Sequence, residues 1–249
     1  MEKFWRRSSD GSITYTADEK FIYAEKEGKL HRLELFEKHY YKLRLWEGVP
    51  ILEIDGLRMQ LVKDFKTPLY YAKEVVKGLR IPASAGGRGN APVGAAVLDT
   101  CMGLGYTAIE AAKKAGVERV VTCELSDAVI TLAKWNPLSE ALFAKNEKNK
   151  ITVMRGSASE LIKNLDSGSF DFVIHDPPRM SHAPELYSSQ FYGELFRVCR
   201  TSARIFHYVG SIGKRKGRRI DHEVMERLAA AGFRGMRYVP RLQGIYASK

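Results

Sequence analysis

Three carboxylates stand where apolar runs of the sequence end. Asp99 and Glu124 close two such runs, and Asp176 directly follows a third, Phe170–His175. Short apolar runs bounded by turn signals are typical of buried strands. The carboxyl ends of parallel strands lie at one edge of a sheet, where open α/β sheets bind their ligands. Three acids gathered at that edge could accept hydrogen bonds from hydroxyl groups and amines.

A turn with two close glycines follows the first of these acids. Residues 99–105 read Asp-Thr-Cys-Met-Gly-Leu-Gly and connect a predicted strand to a predicted helix. Gly103 and Gly105 would let the backbone approach a ligand, and Glu124 would accept hydrogen bonds from ribose hydroxyls. The third glycine of the dinucleotide pattern is replaced by Ala108. The spacing therefore predicts an adenosine cofactor and favours one other than a nicotinamide.

These residues need a sheet that brings the strand ends together. From Ala95 onward, predicted strands and helices alternate, and two strands, Phe233–Val239 and Leu242–Ala247, close the chain. Regular alternation is typical of a mainly parallel sheet with helices on both faces. We therefore predict an α/β fold, a doubly wound, mainly parallel and Rossmann-like domain over residues 95–249.

The first 66 residues have a different character. Short β-compatible runs are separated by turn signals, and Asp55-Gly56 joins two of them as a two-residue hairpin turn. This pattern predicts a small β-rich N-terminal appendage over residues 1–66. Residues 67–94 are predicted to form a helix, capped by Thr67 and Pro68, and a Gly-rich connection. A phosphate-binding loop is disfavoured in that connection because no lysine or helix start follows its glycines.

The positive charge of the chain is concentrated near its end. The formal net charge is +11, and residues 200–249 carry 12 Lys and Arg against 3 Asp and Glu. A local basic excess indicates a polyanionic partner, and we expect RNA. The basic run follows the fifth predicted strand, Arg204–Val209, so its residues are predicted to contact substrate phosphates: Lys214, Arg215, Lys216, Arg218 and Arg219.

Several classes of protein are disfavoured by composition. No apolar run approaches the roughly 18 residues that a membrane span needs, and the first residues lack the apolar core of a secretory signal. The three cysteines show no paired metal-ligand spacing, so we predict a reduced cytoplasmic protein without a metal. Cys101 is not expected to be a nucleophile, because nothing in its sequence context would lower the pKa of its thiol.

The order Asp99, Gly103-Leu104-Gly105, Glu124 and Asp176-Pro177-Pro178 resembles the class I S-adenosylmethionine-dependent methyltransferase family over residues 95–249. On that resemblance the cofactor is S-adenosylmethionine. The first acid and the glycine turn would hold its methionine part, and Glu124 would hold its ribose. Further residues would flank the adenine. The implied cofactor-binding set is Asp99, Thr100, Cys101, Gly103, Gly105, Glu124, Leu125, Ser126, Ser157 and Ala158.

The segment after the fourth predicted strand, Phe170–His175, reads Asp176-Pro177-Pro178-Arg179. Two prolines remove two N–H donors and restrict the backbone, which leaves the acid and nearby carbonyls as acceptors for an amine nucleophile. These four residues are predicted to be catalytic. A planar arginine here could stack on a base or bind phosphate, where the family often has an aromatic residue. His175 and Tyr187 are predicted to contact substrate, although alternation along a strand could turn His175 away from Asp176.

Two alternatives remain open. Residues 186–192, Leu-Tyr-Ser-Ser-Gln-Phe-Tyr, resemble a segment of spermidine synthases, which share the fold and transfer an aminopropyl group. The chain could also be a non-catalytic RNA-binding protein that retains the fold. Our first hypothesis is an S-adenosylmethionine-dependent methyltransferase that methylates an RNA amine. The aminopropyl hypothesis is disfavoured because basic residues at the rim of the predicted cleft would repel a polycationic acceptor.

Overall fold

The structure is a computed structural model that describes residues 3–81, 94–146, 148–210 and 220–249. Its residues fall into two compact units. The first comprises Met1–Tyr71, Gly103–Tyr106 and Ser126–Asn149, and the second comprises Ala72–Met102, Thr107–Leu125 and Lys150–Lys249. Most of the Gly-rich connection and all of the basic run at 214–219 lie outside the described residues.

The first unit contains two antiparallel sheets of four strands, ordered β1-β2-β3-β4 and β5-β6-β7-β8. The hairpin between β7 and β8 turns at Asp55 and Gly56, which both have positive φ, as a two-residue hairpin turn requires. The strands are β1 Lys3–Arg7, β2 Ile13–Ala17, β3 Ile22–Lys26, β4 Lys29–Arg32, β5 Glu34–Phe36, β6 Tyr40–Trp46, β7 Val49–Ile54 and β8 Leu57–Arg58. The predicted β-rich N-terminal region is confirmed.

Residues far apart in sequence are held together inside this first unit. The Tyr106 hydroxyl is buried, donates to the Pro50 carbonyl (2.8 Å) and accepts from the Asn136 side-chain amide (3.0 Å). The Ser139 hydroxyl donates to the Leu104 carbonyl at 2.7 Å. Because these polar groups are buried, each bond avoids the cost of an unsatisfied donor or acceptor.

The second unit is built on a seven-stranded sheet with the order β11-β10-β9-β12-β13-β15-β14, in which only β15 is antiparallel to its two neighbours. Its strands are β9 Ala95–Asp99, β10 Val117–Glu124, β11 Ile151–Arg155, β12 Phe170–His175, β13 Cys199–Tyr208, β14 Arg234–Val239 and β15 Gly244–Ser248. The helices of the chain are α1 Pro68–Gly78, α2 Tyr106–Ala112, α3 Asp127–Trp135, α4 Ala158–Leu161, α5 Ser189–Val198 and α6 Ile220–Ala231. Short 3-10 turns occur at Glu140–Leu142, Ile162–Asn164, Pro184–Tyr187 and Pro240–Leu242.

Every residue of β9 and of β12 is buried. Strands covered on both faces read as continuous apolar runs, which is why the sequence pattern located them. The chain proceeds from β9 outward through β10 and β11, then returns to β12 on the other side. The sheet therefore has its switch point between β9 and β12, and the predicted doubly wound α/β fold is confirmed. None of the described helices is both long and apolar enough to cross a membrane.

Two helical glycines give opposite stability predictions. The Tyr246 hydroxyl bonds to the Val75 carbonyl of α1 (3.0 Å), and a Cβ on Gly78 would lie 2.0 Å from that hydroxyl oxygen. We expect Gly78→Ala to lower the free energy of unfolding by about 1–3 kcal/mol, because the ring must move. A Cβ on Gly193, in α5, meets no atom within 4 Å, so Gly193→Ala should raise it by about 0.5–1 kcal/mol. Urea unfolding of both variants measures this contrast, and equal shifts would contradict it.

Candidate functional site

The switch point places two of the predicted acids on neighbouring strands. Asp99, the last residue of β9, pairs in register with Ile174 of β12, and Asp176 follows two residues later. The Asp99 side chain is fully buried and accepts from the Thr107 hydroxyl at 2.9 Å. Burial raises the pKa of Asp99 to about 7, and the nearby charges of Asp176 and Glu124 act in the same direction. The three predicted acids are therefore close enough to influence one another.

Backbone hydrogen bonds fix the loops that carry these acids. The Thr100 amide donates to the Ile174 carbonyl (3.0 Å), and the Met102 amide donates to the Cys123 carbonyl (2.8 Å). The Gly156 amide, in the loop after β11, donates to the Glu124 carbonyl at 2.8 Å. Gly156 has a φ of +141°, a conformation that side-chain-bearing residues rarely adopt. The half-buried Glu124 side chain is thus held at the strand end on a fixed backbone.

The glycine turn belongs to the first unit, and its two glycines serve different needs there. Both have positive φ, +52° at Gly103 and +74° at Gly105. A Cβ on Gly105 would lie 2.3 Å from a methyl carbon of Leu142, so packing requires glycine at this position. A Cβ on Gly103 would meet only the Gln60 side-chain nitrogen, at 3.9 Å. The space beside Gly103 is what a turn that approaches a ligand leaves open.

The residues predicted to surround the adenine differ in exposure. Leu125 is a 68% exposed apolar side chain directly after Glu124, which suits contact with an aromatic base. The Ser126 hydroxyl caps α3 and accepts from the Val129 amide at 3.3 Å. Ser157 precedes α4, and its hydroxyl bonds to that of Ser159 (2.8 Å), while Ala158 is buried. An apolar surface beside a carboxylate fits the adenosine part of S-adenosylmethionine chemically.

The loop after Asp176 is held by a buried tyrosine. Tyr187 is 1% exposed, and its hydroxyl donates to the Pro178 carbonyl at 2.9 Å. Its own carbonyl accepts from the Arg227 guanidinium at 2.9 Å. Burial raises the pKa of Tyr187 well above its usual value, so the hydroxyl stays protonated as a donor. Tyr187 therefore positions the proline loop from inside the protein, in place of the substrate contact that the sequence predicted.

His175 also differs from its prediction. Its side chain is fully buried, with Nδ1 2.6 Å from the Thr100 hydroxyl and Nε2 3.0 Å from the Leu186 carbonyl. Because a carbonyl only accepts, Nε2 carries the proton and Nδ1 accepts from the threonine. Burial lowers the pKa of His175 to about 3. The ring is a neutral link between two loops near Asp176, and it lies on a strand whose residues are all buried.

A second buried histidine, missed by the sequence analysis, packs against the first. The His207 ring centre is 4.3 Å from that of His175, and its Nε2 lies 2.8 Å from the Tyr192 hydroxyl. Burial, and then the neighbouring His175, hold the pKa of His207 well below its usual value. Its position at the penultimate residue of β13 was the available signal, because that strand ends at the same sheet edge as β12.

The buried histidines make stability sensitive to acid. Both stay neutral in the folded protein, whereas the unfolded chain protonates them below about pH 6.5. The unfolded state then binds more protons, so stability falls as the pH drops below that value, by up to about 1.4 kcal/mol per pH unit for each histidine. Asp99 acts oppositely between its ordinary pKa of 3.8 and about 7, because there the folded state binds the extra proton.

We therefore expect His207→Gln to reduce the pH dependence of unfolding. Below pH 6.5 the slope of unfolding free energy against pH should fall by about 1.4 kcal/mol per pH unit relative to the original protein. Urea unfolding at several pH values measures the slope. His222→Gln, at an exposed position of α6, is the control. Equal slopes for His207→Gln and the original protein would contradict the proposed neutral buried pair.

The remaining predicted residues differ in burial and in whether the structure describes them. Cys101 is half-buried in the loop after β9, and burial raises the pKa of its thiol well above the usual value, which disfavours a thiolate nucleophile. Pro177 is buried, whereas Pro178 and Arg179 are exposed. The predicted phosphate contacts Lys214, Arg215, Lys216, Arg218 and Arg219 lie outside the described residues. Tyr208, at the end of β13, was not predicted. Burial, and then the charge of Asp176, raise the pKa of Tyr208 to about 12.

Comparison with known proteins fits this geometry. Residues 97–202 match the family described as "Methyltransferase domain". The chain is also 41% identical over 233 residues to the uncharacterized protein MJ1233 of Methanocaldococcus jannaschii, covering 93% of this chain and 75% of that protein. The chain belongs to the same family as this protein, and its residues 97–202 form a methyltransferase domain with the class I S-adenosylmethionine-dependent methyltransferase fold.

Two further proteins relate this chain to aminopropyltransferases. It is 31% identical over 142 residues to polyamine aminopropyltransferase 2 of Streptomyces coelicolor, which covers 55% of this chain and 25% of that protein. A spermidine synthase solved in complex with the transition state analogue AdoDATO aligns with a TM-score of 0.69 and 15% identity, covering 100% of this chain and 80% of the other. At that identity the alignment shows a shared fold.

Proposed function

We propose that the protein transfers the methyl group of S-adenosylmethionine to an amine nitrogen of an RNA. The observation that carries the proposal is the placement of Asp176 two residues beyond the register partner of Asp99, at the switch point of the sheet. The double proline that follows removes competing N–H donors from that loop. An acid there can accept from an amine, while the neighbouring strand ends hold a cofactor.

The residues suit S-adenosylmethionine because the ligand carries a positively charged sulfonium and an amino group. Asp99 and Glu124 supply oxygen acceptors, and Glu124 would accept from the two ribose hydroxyls. Leu125 would pack on the adenine with its exposed apolar side chain. When bound, the cofactor supplies a methyl carbon already activated by the sulfonium sulfur.

Asp176 would bind and deprotonate the acceptor amine. Its carboxylate oxygen accepts an amine N–H, which turns the nitrogen lone pair towards the methyl carbon. As the nitrogen–carbon bond forms, the methyl carbon–sulfur bond would break, and its electron pair would leave on the sulfur of S-adenosylhomocysteine. Asp176 would take up the amine proton and pass it to water. Positioned acceptors of this kind contribute to rate by orientation and by proton transfer. Tyr187, fixed on the Pro178 carbonyl, keeps the loop in place during this step.

The choice of RNA as the molecule that carries the amine is supported by charge. The last fifth of the chain has four times as many basic as acidic residues, and Arg179, three positions after Asp176, is exposed. A guanidinium can bind phosphate through paired N–H groups or stack on a base. These features favour a polyanion over a cationic small molecule as the acceptor.

Aminopropyl transfer is the second candidate. It is favoured by the alignment with spermidine synthase over the whole chain, which includes the β-rich N-terminal region. The resemblance of residues 186–192 to a spermidine synthase segment points the same way. Against it, the glycine turn carries the buried Leu104, whereas the spermidine synthases that residues 186–192 resemble have an acid in this loop that helps to hold the amine.

One experiment separates these candidates. Methyl-labelled S-adenosylmethionine is incubated with the protein and, in parallel, with total RNA, with a protein extract and with polyamines. Decarboxylated S-adenosylmethionine with polyamines tests aminopropyl transfer in the same series. We expect label in RNA. Label in protein or polyamine, or product only from the decarboxylated cofactor, would contradict the proposal.

A further inference from the structure

Three arginines line a cavity on the second unit that lies away from the strand ends of the candidate site. The cavity measures about 170 Å³. Its lining includes Arg80, Arg204 and Arg237, together with Tyr246. Arg204 stands four residues before the end of β13, about 13 Å along the strand from the carboxyl edge. The proposed methyl transfer does not use these residues.

A β-bulge brings two of these arginines to the same face of the sheet. Arg234 pairs with Ser248 and Arg237 pairs with Tyr246, so two residues of β14 stand opposite one residue of β15. Gly235, with a φ of +61°, is one of those two residues. Paired residues point to the same face of a sheet, and so do residues two apart on one strand. Arg204 pairs with Ser248, and Arg237 pairs with Tyr246, which is two residues before Ser248. Arg237 and Arg204 therefore share a face. Without the extra residue, Arg237 would point to the other face.

The local contacts of these arginines leave donors available. Arg204 donates one N–H to the Leu79 carbonyl at 3.3 Å, and a guanidinium has five. Arg237 lies over the Tyr246 ring, with its guanidinium carbon 5.4 Å from the ring centre. Arg80 has a φ of +54° just after α1. All three side chains belong to exposed residues.

The charges of this cavity are not neutralised within the described part of the chain. There, no carboxylate forms an ion pair with Arg80, Arg204 or Arg237. Other arginines of the basic last fifth have such partners: Arg200 pairs with Asp171 at 2.8 Å, and Arg227 lies 4.0 Å from Glu223. Three guanidinium groups that line one cavity and have no carboxylate in an ion pair suit phosphate, which guanidinium groups bind through paired N–H donors.

We propose that this three-arginine cavity binds backbone phosphates of the RNA acceptor, as a second contact distant from the reacting amine. The inference rests on the proposed function for the identity of its partner. An RNA bound at two separated places has a fixed position along the protein, because phosphate contacts position a nucleic acid without reading its sequence. The arginines of the edge strand β14 thereby serve recognition as well as protection of an exposed sheet edge.

The test measures RNA binding as a function of salt. A fluorescently labelled single-stranded RNA is titrated with the protein by anisotropy over about 50 to 300 mM KCl. For single strands, the slope of log affinity against log salt changes by about 0.7 for each phosphate contact. We expect the triple variant Arg80→Gln, Arg204→Gln, Arg237→Gln to bind more weakly and to lose about 2 from that slope.

Two sets of controls keep the outcome interpretable. Arg119→Gln removes an exposed arginine with comparable contacts, a carbonyl at 3.0 Å and an aromatic ring at 4.9 Å, at the opposite end of its strand from Glu124. It should change the slope by less than one phosphate contact. Arg204→Lys and Arg237→Lys keep the charge and should retain the slope, whereas a purely structural role would not be rescued.

The possible results separate this inference from the proposed function. A slope unchanged from the Arg119→Gln control would overturn the phosphate site, and so would an original protein that binds no RNA. A reduced slope without methyl transfer to RNA would support the site and contradict the proposed reaction. Methyl transfer to RNA with an unchanged slope in the triple variant would support the reaction and overturn the site.

Discussion

Asp176→Asn should abolish most of the methyl transfer while leaving the cofactor bound. The amide keeps the size of the side chain but cannot take up the proton of the acceptor amine. Proton transfer by a positioned group contributes about 10²- to 10⁴-fold to rate, and we expect kcat to fall by that factor. Binding of S-adenosylmethionine, measured by calorimetry, should change little because the proposed contacts of Asp176 are to the acceptor.

The matched control is Asp166→Asn, which removes a carboxylate from an exposed position between α4 and β12. It should leave both kcat and cofactor binding unchanged. A pH profile adds a second readout: the rate of the original protein should rise with the ionisation of a carboxyl group, and that limb should disappear in Asp176→Asn. Full activity of Asp176→Asn would remove the assigned role and leave orientation by backbone carbonyls as the source of catalysis.

Glu124→Ala should act on the other half of the reaction. Hydrogen bonds to a charged group contribute about 1.5–3 kcal/mol, so loss of the ribose contact should raise the Kd for S-adenosylmethionine about 10- to 100-fold. The fold should survive, because the side chain is only half-buried and the Glu124 carbonyl still accepts from the Gly156 amide. Calorimetric titration with S-adenosylhomocysteine measures the same contact without turnover.

The control for this variant is Glu160→Ala. Glu160 is an acid of α4 with a 69% exposed side chain that pairs with Lys163. Its removal changes the net charge by the same amount and should leave cofactor affinity intact. If both variants weaken binding equally, the effect is one of overall charge, and the assignment of the ribose to Glu124 is wrong.

The strand ends could be predicted from the sequence because buried parallel strands have a distinctive composition. β9 is apolar up to its last residue, Asp99, and β12 is mainly apolar and directly precedes Asp176, so these two runs located both acids. The same pattern cannot report which way each side chain points. His175 was predicted to contact substrate, yet its hydrogen bonds with the Thr100 hydroxyl and the Leu186 carbonyl hold it inside.

Two other features depend on contacts between separate segments of the chain, so a local sequence pattern could not predict them. A bulge is a pairing property of two strands, so nothing local to Arg237 showed that Gly235 brings it to the face of Arg204. The division of the chain into units is likewise set by contacts between distant segments. The prediction divided the chain in sequence order at residue 66, whereas the first compact unit also includes Gly103–Tyr106 and Ser126–Asn149.

The hydrogen bond from Tyr106 to the Pro50 carbonyl has a consequence for dissecting the protein genetically. A truncation that starts at the predicted boundary would delete Pro50 and leave a buried phenol hydroxyl without its acceptor, directly after the glycine turn. The β-rich region is therefore not a module that can be cut off or exchanged to ask what it recognises. Grafting experiments would have to carry the turn and α3 along with it, and point substitutions on its exposed surface are the safer tool.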